Sequence, residues 1–200
     1  MTDPSRLSVA LVSTQRKWYG GEEQARLLVG GLREEGHRLS ILARRGGAFA
    51  ERMSAEGFEV GTFSGNGRGP LGVWQIRRRL RRIRPDVLHF NDPHAVLSAG
   101  LAAIGLGIPA RIAARRVDFA IRFAFRYARL CDRVVCVSRE VARVCRQSGI
   151  PERLLSVVHD GVDASRVNSG DRERGRRSSR LRQSRCLARW PPAPKPAGRF

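Results

Sequence analysis

The length, composition and charge of this chain favour a globular protein and exclude a membrane-spanning one. Its 200 residues are enough for one domain and a tail, and 42% of them are hydrophobic, as in an ordinary globular protein. The longest apolar stretch, 95–110, is interrupted by glycine and is too short to cross a bilayer. The formal net charge of +20 leaves nucleic acid or an anionic membrane surface open as a partner.

The first 32 residues contain the stretch around which we expect the fold to be organised. Leu7–Val12 is a short apolar run typical of a buried strand, and a polar loop follows it. Gly20 and Gly21 then lead into a helix whose apolar residues recur at helical spacing. Strand, glycine loop and helix form the first unit of a parallel α/β domain, in which ligands bind beyond the carboxyl ends of the strands.

The same alternation of strand and helix continues to about residue 167. Further strands are predicted over 37–43, 58–63, 86–90, 110–114, 133–137 and 154–158. Helices are predicted over 48–56, 73–83, 95–106 and 119–130, and from a cap at Ser138 to 148. Seven strands with short helical connections predict an α/β fold, a Rossmann-like doubly wound parallel sheet, over residues 1–167.

Residues 168–200 differ in composition from the predicted domain. They are rich in arginine and proline, carry few apolar residues and show no periodicity. We expect a disordered tail that is not part of the fold. A basic arm for nucleic acid is one interpretation, and an out-of-frame or degraded remnant of a longer protein is the other.

One predicted helix, 73–83, carries arginine along a whole face and ends before Pro85. These basic residues are Arg77, Arg78, Arg79, Arg81, Arg82 and Arg84. An anionic membrane would attract each basic residue near its surface by about 1 kcal/mol. The alternative is the solvated face of a packed helix.

The cysteines and the N-terminus indicate a compartment. Cys131, Cys136, Cys145 and Cys186 form no CxxC pair, so we expect free thiols in a reducing compartment and no zinc site. Residues 1–6 show no leader pattern, so we expect no secretory signal. The sequence predicts a cytoplasmic protein, with peripheral contact at the inner face of the membrane as a further hypothesis.

Five short segments, taken in order, resemble the N-terminal domain of a GT-B glycosyltransferase of the retaining, family 4 type. They are Tyr19-Gly20-Gly21-Glu22, Gly36-His37, Pro85-Asp86-Val87-Leu88-His89, Asp132 to Ser138, and Val158-His159-Asp160-Gly161-Val162-Asp163. The resemblance implies transfer of a sugar from a nucleotide-sugar donor to a glycan or lipid-linked acceptor, without a metal or cofactor. It also implies a second, donor-binding domain with paired glutamates, so we expect this chain to be a truncated, inactive fragment.

Gly20 and Gly21 are the first candidate substrate-binding residues. Free N–H groups at a helix N-terminus attract an anion, and glycine lets a donor diphosphate come close to the backbone. A tight turn is the alternative explanation for the pair. The spacing is not GxGxxG, which disfavours a dinucleotide cofactor.

Two further groups of candidates follow predicted strands. His89, Asp92 and His94 lie at and beyond the end of the fourth strand, where they could bind sugar hydroxyls or steer a proton. A satisfied buried histidine and a helix cap are the alternatives. Arg115, Arg116 and Asp118 follow the fifth strand, where the resembled family often has a histidine. These arginines suit phosphate binding, and Asp118 suits orientation of an acceptor hydroxyl, so His89 and Asp118 are the catalytic candidates.

A protein of another class is the alternative to a transferase. The arginine helix and the tail could form a non-catalytic binding protein for nucleic acid or an anionic membrane. Salt-dependent DNA binding without affinity for nucleotide-sugars would distinguish it. For the transferase, we expect no specific nucleic-acid partner.

Overall fold

The computed structural model describes residues 6–162, which form a seven-stranded, entirely parallel sheet packed with helices. The strands are Ser8–Ser13 (β1), Arg38–Arg44 (β2), Val60–Phe63 (β3), Val87–Phe90 (β4), Ala110–Arg115 (β5), Arg133–Cys136 (β6) and Leu155–Val157 (β7). The helices are Gly20–Glu34 (α1), Ala48–Ala55 (α2), Pro70–Ile83 (α3), Pro93–Ala103 (α4), Phe125–Leu130 (α5) and Arg139–Gln147 (α6). The predicted Rossmann-like α/β fold is confirmed.

The strand order places a crevice next to β1. The order is β3-β2-β1-β4-β5-β6-β7, so the chain first builds outwards to β3 and then returns to the other side of β1. β4 pairs directly with β1, with Leu11 opposite His89. In an open α/β sheet, such a reversal of strand order leaves a crevice at the carboxyl ends, where ligands bind.

The core lies on both faces of the sheet, because successive strand residues point in opposite directions. In β1, Ala10 and Val12 belong to a large cluster with Phe90 and with α3 to α6. Leu11 belongs to a smaller cluster with Phe49 and other buried residues of α1, α2 and β2. The helices therefore fix the sheet from both sides and leave its carboxyl edge as the surface for binding.

Several helix boundaries match the sequence and others do not. α3 begins at Pro70 and not at Val73, and α4 spans Pro93–Ala103 and not 95–106, because in both helices a proline takes the first position. Ser138 caps α6, since its Oγ accepts from the Val141 N–H at 3.2 Å, and α3 ends before Pro85. The predicted start of α5 at Phe119 is wrong, because the helix begins only at Phe125. The intervening segment is held by bonds to the rest of the fold: Arg115 donates to the Phe119 carbonyl at 2.5 Å.

The arginine face of α3 is only partly solvated. Arg77 Nη1 donates to the carbonyl oxygens of Ala102 and Ile104 at 2.9 and 2.7 Å, which satisfies the end of α4. Arg79 Nη2 donates to the Thr62 carbonyl at 3.1 Å. The remaining arginines of the face, Arg78, Arg81, Arg82 and Arg84, are exposed.

Two further features of the described residues are the state of the cysteines and the character of the helices. Cys131, Cys136 and Cys145 are buried free thiols, as predicted. Within residues 6–162, none of the helices has the length and apolar character needed to cross a membrane. Cys186 and the predicted tail lie outside the described residues.

Candidate functional site

The N-terminus of α1 and the end of β5 meet at the carboxyl edge of the sheet. Gly20 and Gly21 form the first turn of α1, whose N–H groups have no acceptor inside the helix. A Cβ atom added to Gly21 would lie 3.8 Å from Nη1 of Arg116. The structure thus brings together the glycine pair and one of the two arginines that the sequence singled out.

Arg116 is held in place by Asn91 and Asp160, which come from different parts of the chain. Its Nη1 donates to Asn91 Oδ1 at 3.0 Å, and its Nε faces Asp160 Oδ1 at 3.4 Å. Among the described residues, no partner is recorded for its Nη2. A guanidinium group has five N–H donors, so Arg116 keeps donors for an incoming anion while its orientation is fixed.

Glu22 anchors the start of α1 from inside the protein. Its Oε1 accepts from Ser13 Oγ at 3.2 Å and from Asn91 Nδ2 at 3.1 Å, and its Oε2 accepts from the Tyr19 N–H at 3.2 Å. The residue is 2% exposed, and burial raises the pKa of its carboxyl group. Glu22 is therefore engaged in the fold and does not face the space in front of the helix.

A cleft of about 560 Å³ opens between α1 on one side and the strands β4 to β6 with the segment 158–161 on the other. Its walls are largely apolar, and Leu28, Ile112, Val135 and Val158 form much of them. At the edge of the cleft, Gln24 Nε2 donates to the Gly161 carbonyl at 2.8 Å. The cleft gives the Arg116 site a concave, largely apolar side.

His89 also lines this cleft, at 9% exposure. Its Nε2 is buried without a hydrogen-bond partner in the structure. Burial, reinforced by the charge of Arg116, lowers the pKa of His89 to about 4. The ring is therefore neutral at physiological pH. In this state it can donate or accept a hydrogen bond, but it is a weak base.

Asp92 caps α4 and ties it to the loop after β1. Its carboxylate accepts from the N–H and the hydroxyl of Thr14, and from the N–H groups of His94 and Ala95. The cap predicted as an alternative for Asp92 is therefore present. His94 itself is exposed beyond this cap.

A second, smaller cavity of about 290 Å³ lies on the other side of Thr14. Basic side chains converge on it from separate segments: Arg16, Lys17, Arg44 and Arg68, with His94 beside them. Among the residues that the structure describes, no aspartate or glutamate lines this cavity. It is a concave, positively charged surface at the same edge of the sheet.

The two other residues predicted after the fifth strand line neither of these cavities. Arg115 is 6% exposed, and its Nε is buried without a hydrogen-bond partner in the structure. Its Nη2 donates to the Phe119 carbonyl and so supports the loop there. Asp118 is exposed on that loop.

Sequence reasoning missed Asn91, Glu22 and Asp160 as partners in the site. Asn91 follows a strand end directly, so the rule that pointed to Asp92 could have found it. Glu22 lies at a helix start, where the sequence alone suggests an exposed charge. Its burial depends on Ser13 and Asn91, which no local pattern reveals.

Comparison with known proteins gives a family and a fold. The model of Glycosyltransferase Family 4 matches residues 18–166. A search of curated proteins found no match.

Three of the similar solved structures show the breadth of the likeness. Anabaena Alr3699/HepE in complex with UDP-glucose has a TM-score of 0.71 at 15% identity, over 92% of this chain and 51% of that protein. A glycosyltransferase from Rickettsia africae has a TM-score of 0.66 at 16% identity, over 90% and 50%. Acinetobacter baumannii MurG has a TM-score of 0.60 at 13% identity, over 78% and 46%. The chain thus spans about half the length of each.

The family model covers most of the chain, and the similar structures share its Rossmann-like architecture. The resemblance stated from the sequence motifs, to a GT-B glycosyltransferase of the family 4 type, is confirmed by both findings. This chain belongs to Glycosyltransferase Family 4.

Proposed function

We propose that this domain takes part in the transfer of a sugar from a nucleotide-sugar to an acceptor hydroxyl, and that the junction of α1 with Arg116 binds the donor diphosphate. The observation that carries the proposal is the approach of Arg116 to Gly21, with Nη1 3.8 Å from the position of a Cβ atom. One fixed cation and the free N–H groups of a helix start then face the same space.

The chemistry at this junction is electrostatic. In the reaction, the bond between the sugar and the diphosphate breaks, and negative charge grows on the leaving group. Preorganised donors such as Arg116 and the amides of Gly20 and Gly21 stabilise that charge better than water does. Glu22 does not oppose this role, because it is buried and hydrogen-bonded to Ser13 and Asn91.

The remaining candidates take supporting roles in this proposal. His89, as a neutral ring in the cleft, exchanges a hydrogen bond with a sugar hydroxyl. Asp118 orients the acceptor hydroxyl from its exposed loop, and Arg115 holds that loop through the Phe119 carbonyl. Asp92 acts on substrate through Thr14 and His94, whose positions it fixes.

The test is a titration of the 200-residue chain with UDP-glucose, the ligand in one of the similar structures. Binding is monitored by NMR through the amide resonance of each residue. We expect saturable shifts at Gly20 and Gly21. Arg116→Ala should weaken binding at least tenfold, since it removes the cation. The matched control is Arg129→Ala, an exposed arginine on α5. Equal binding by both variants, or shifts elsewhere only, would overturn the proposal.

Transfer of the sugar is a separate question from binding of the donor. The similar structures are about twice as long as this chain, and most donor contacts are expected from a second domain. We therefore propose that the 200-residue chain on its own binds the donor but does not transfer its sugar. Release of UDP above background in the presence of acceptor would contradict this.

A second proposed activity is contact with an anionic membrane through α3. Leu71 and Trp74 are 57% and 54% exposed, and the guanidinium of Arg78 lies 5.6 Å from the Trp74 ring centre. Apolar side chains beside exposed arginines are typical of an interfacial helix. Co-sedimentation with phosphatidylglycerol vesicles, lost in Leu71→Ser/Trp74→Ser and in high salt, would support it. Equal sedimentation with neutral vesicles would count against it.

A further inference from the structure

We propose that the small cavity beside Thr14 binds a phosphate group and that this phosphate belongs to the acceptor. The basic cavity is defined here by Arg16, Lys17, Arg44, Arg68 and His94. That a phosphate binds follows from the cavity alone. That the phosphate is part of the acceptor rests on the proposed function.

The charges of the basic cavity are not neutralised within the fold. No ion pair is recorded between Arg16, Lys17, Arg44 or Arg68 and any described residue. Elsewhere, arginines of this chain do find carboxylates, as in the pair of Arg111 with Asp132 at 2.7 Å. Cations gathered in a concavity without counter-charge favour a bound anion.

The loops that deliver these side chains are fixed by the backbone. The Arg16 carbonyl accepts from the Ala48 N–H at 3.0 Å, which ties the loop after β1 to α2. Thr14 is held by Asp92. The basic cavity is therefore assembled on backbone segments that hydrogen bonds hold in place.

The loop that carries Arg68 is constrained as well. Gly67 has φ +73°, and a Cβ atom there would lie 2.9 Å from the Phe63 ring, so a side chain is excluded. Asn66 Oδ1 accepts from the Arg68 N–H at 3.1 Å. These constraints set the direction in which the chain presents Arg68.

The position of the basic cavity fits an acceptor better than a donor. Tyr19, which lines the basic cavity, directly precedes Gly20 at the start of α1. Arg116 is on the other side of that helix start, where it lines the larger cleft. A donor diphosphate at Arg116 and a phosphate in the basic cavity would therefore occupy separate sites at the start of α1.

The first arm of the test uses inorganic phosphate and glycerol 3-phosphate with the 200-residue chain. We expect saturable shifts of the amides from Thr14 to Lys17 and of Arg68. Arg44→Gln/Arg68→Gln should weaken this binding at least tenfold without a change in the thermal midpoint. The matched control, Arg122→Gln/Arg129→Gln, removes the same charge from exposed positions outside the cavity. Equal weakening by both double variants would overturn the proposal.

The second arm identifies the source of the phosphate with phosphatidylglycerol vesicles, and all proteins in it carry Leu71→Ser/Trp74→Ser so that α3 does not bind the vesicles. If the cavity variant, Arg44→Gln/Arg68→Gln, loses vesicle binding and its control, Arg122→Gln/Arg129→Gln, does not, the phosphate is a lipid headgroup. If both sediment like their Leu71→Ser/Trp74→Ser parent while the cavity variant loses glycerol 3-phosphate, the phosphate belongs to a soluble acceptor. Either outcome supports the basic cavity as a phosphate site.

Binding measurements with UDP-glucose distinguish this inference from the proposed function. The cavity variant should bind UDP-glucose as wild type does, and Arg116→Ala should bind phosphate in the basic cavity as wild type does. Phosphate binding without any UDP-glucose binding would contradict the proposed function and leave the phosphate site standing. Loss of UDP-glucose binding in the cavity variant would make the basic cavity the donor site and overturn the acceptor assignment.

Discussion

Thr14 donates to both carboxylate oxygens of Asp92, from its N–H to Oδ2 and from its hydroxyl to Oδ1, each at 2.7 Å. The same Oδ1 accepts from the N–H groups of His94 and Ala95, both at 3.0 Å. One buried side chain therefore connects the loop after β1 with the first turn of α4, across the reversal in strand order. This connection positions the backbone on which the basic cavity is built.

Asp92→Ala should lower the free energy of unfolding by about 2 kcal/mol, because it removes a helix cap and leaves Thr14 without its buried acceptor. The measurement is equilibrium denaturation in urea. Asp92→Asn is the matched control, since its amide oxygen can still accept at the cap. A loss below about 0.5 kcal/mol in the alanine variant would show that the connection contributes little.

His89 should make the protein less stable as the pH falls. Burial lowers the pKa of His89 from 6.5 to about 4, so between these values the unfolded chain binds more protons than the folded one. Stability from this group is complete above pH 6.5 and declines towards pH 4. The full loss is about 3 kcal/mol at most.

His89→Gln tests this pH dependence because glutamine does not titrate. Unfolding in urea should be measured at several values between pH 7 and pH 4 for both proteins. We expect the difference in unfolding free energy between them to shift in favour of the variant as the pH falls. A constant difference would show that His89 titrates normally in the folded protein.

Removal of 168–200 should leave the thermal midpoint almost unchanged. Residues 6–162 already contain the whole seven-stranded sheet and the two hydrophobic clusters that pack on it, and the removed sequence has few apolar residues to bury. Melting of the 1–167 fragment beside the 200-residue chain is the measurement. A fall of several degrees in the fragment would mean that 168–200 stabilises the domain.

The sequence predicted those parts of the molecule that depend on local patterns. Periodicity gave the strand and helix order, and Ser138 and Pro85 gave two helix ends. The start of α5 was placed too early because bonds from Arg115 to the Phe119 carbonyl and from Ile121 to Ser148 hold the preceding segment outside a helix. The first bond comes from the side chain of the preceding strand and the second from a residue 27 positions further along the chain, and helix propensity reveals neither.

The candidate site could be predicted only in part, because some of its residues follow local patterns and others are brought together by the fold. Gly20, Gly21 and Arg116 could be named because each follows a strand or begins a helix at the carboxyl edge. The convergence of Arg44 and Arg68 on one cavity could not, because two different connections bring them together. Sequence reasoning names the residues at an edge, and the order of strands decides which of them meet.

The approach of Arg116 to the first turn of α1 is most directly tested by Gly21→Val. A Cβ atom at position 21 meets only an ordinary contact with Arg116, so the fold should survive while the added methyl groups fill the path of the diphosphate. Gly30→Val, in the middle of the same helix with open space around it, is the matched control.

The deciding measurement is the dissociation constant for UDP-glucose, from the amide titration, beside a circular dichroism melt of each variant. Gly21→Val should weaken binding tenfold or more, about 1.4 kcal/mol, with a melt like that of wild type, and Gly30→Val should bind as wild type does. Unchanged binding by Gly21→Val with an unchanged melt would mean that the donor never meets this turn and that the glycines serve only to start the helix.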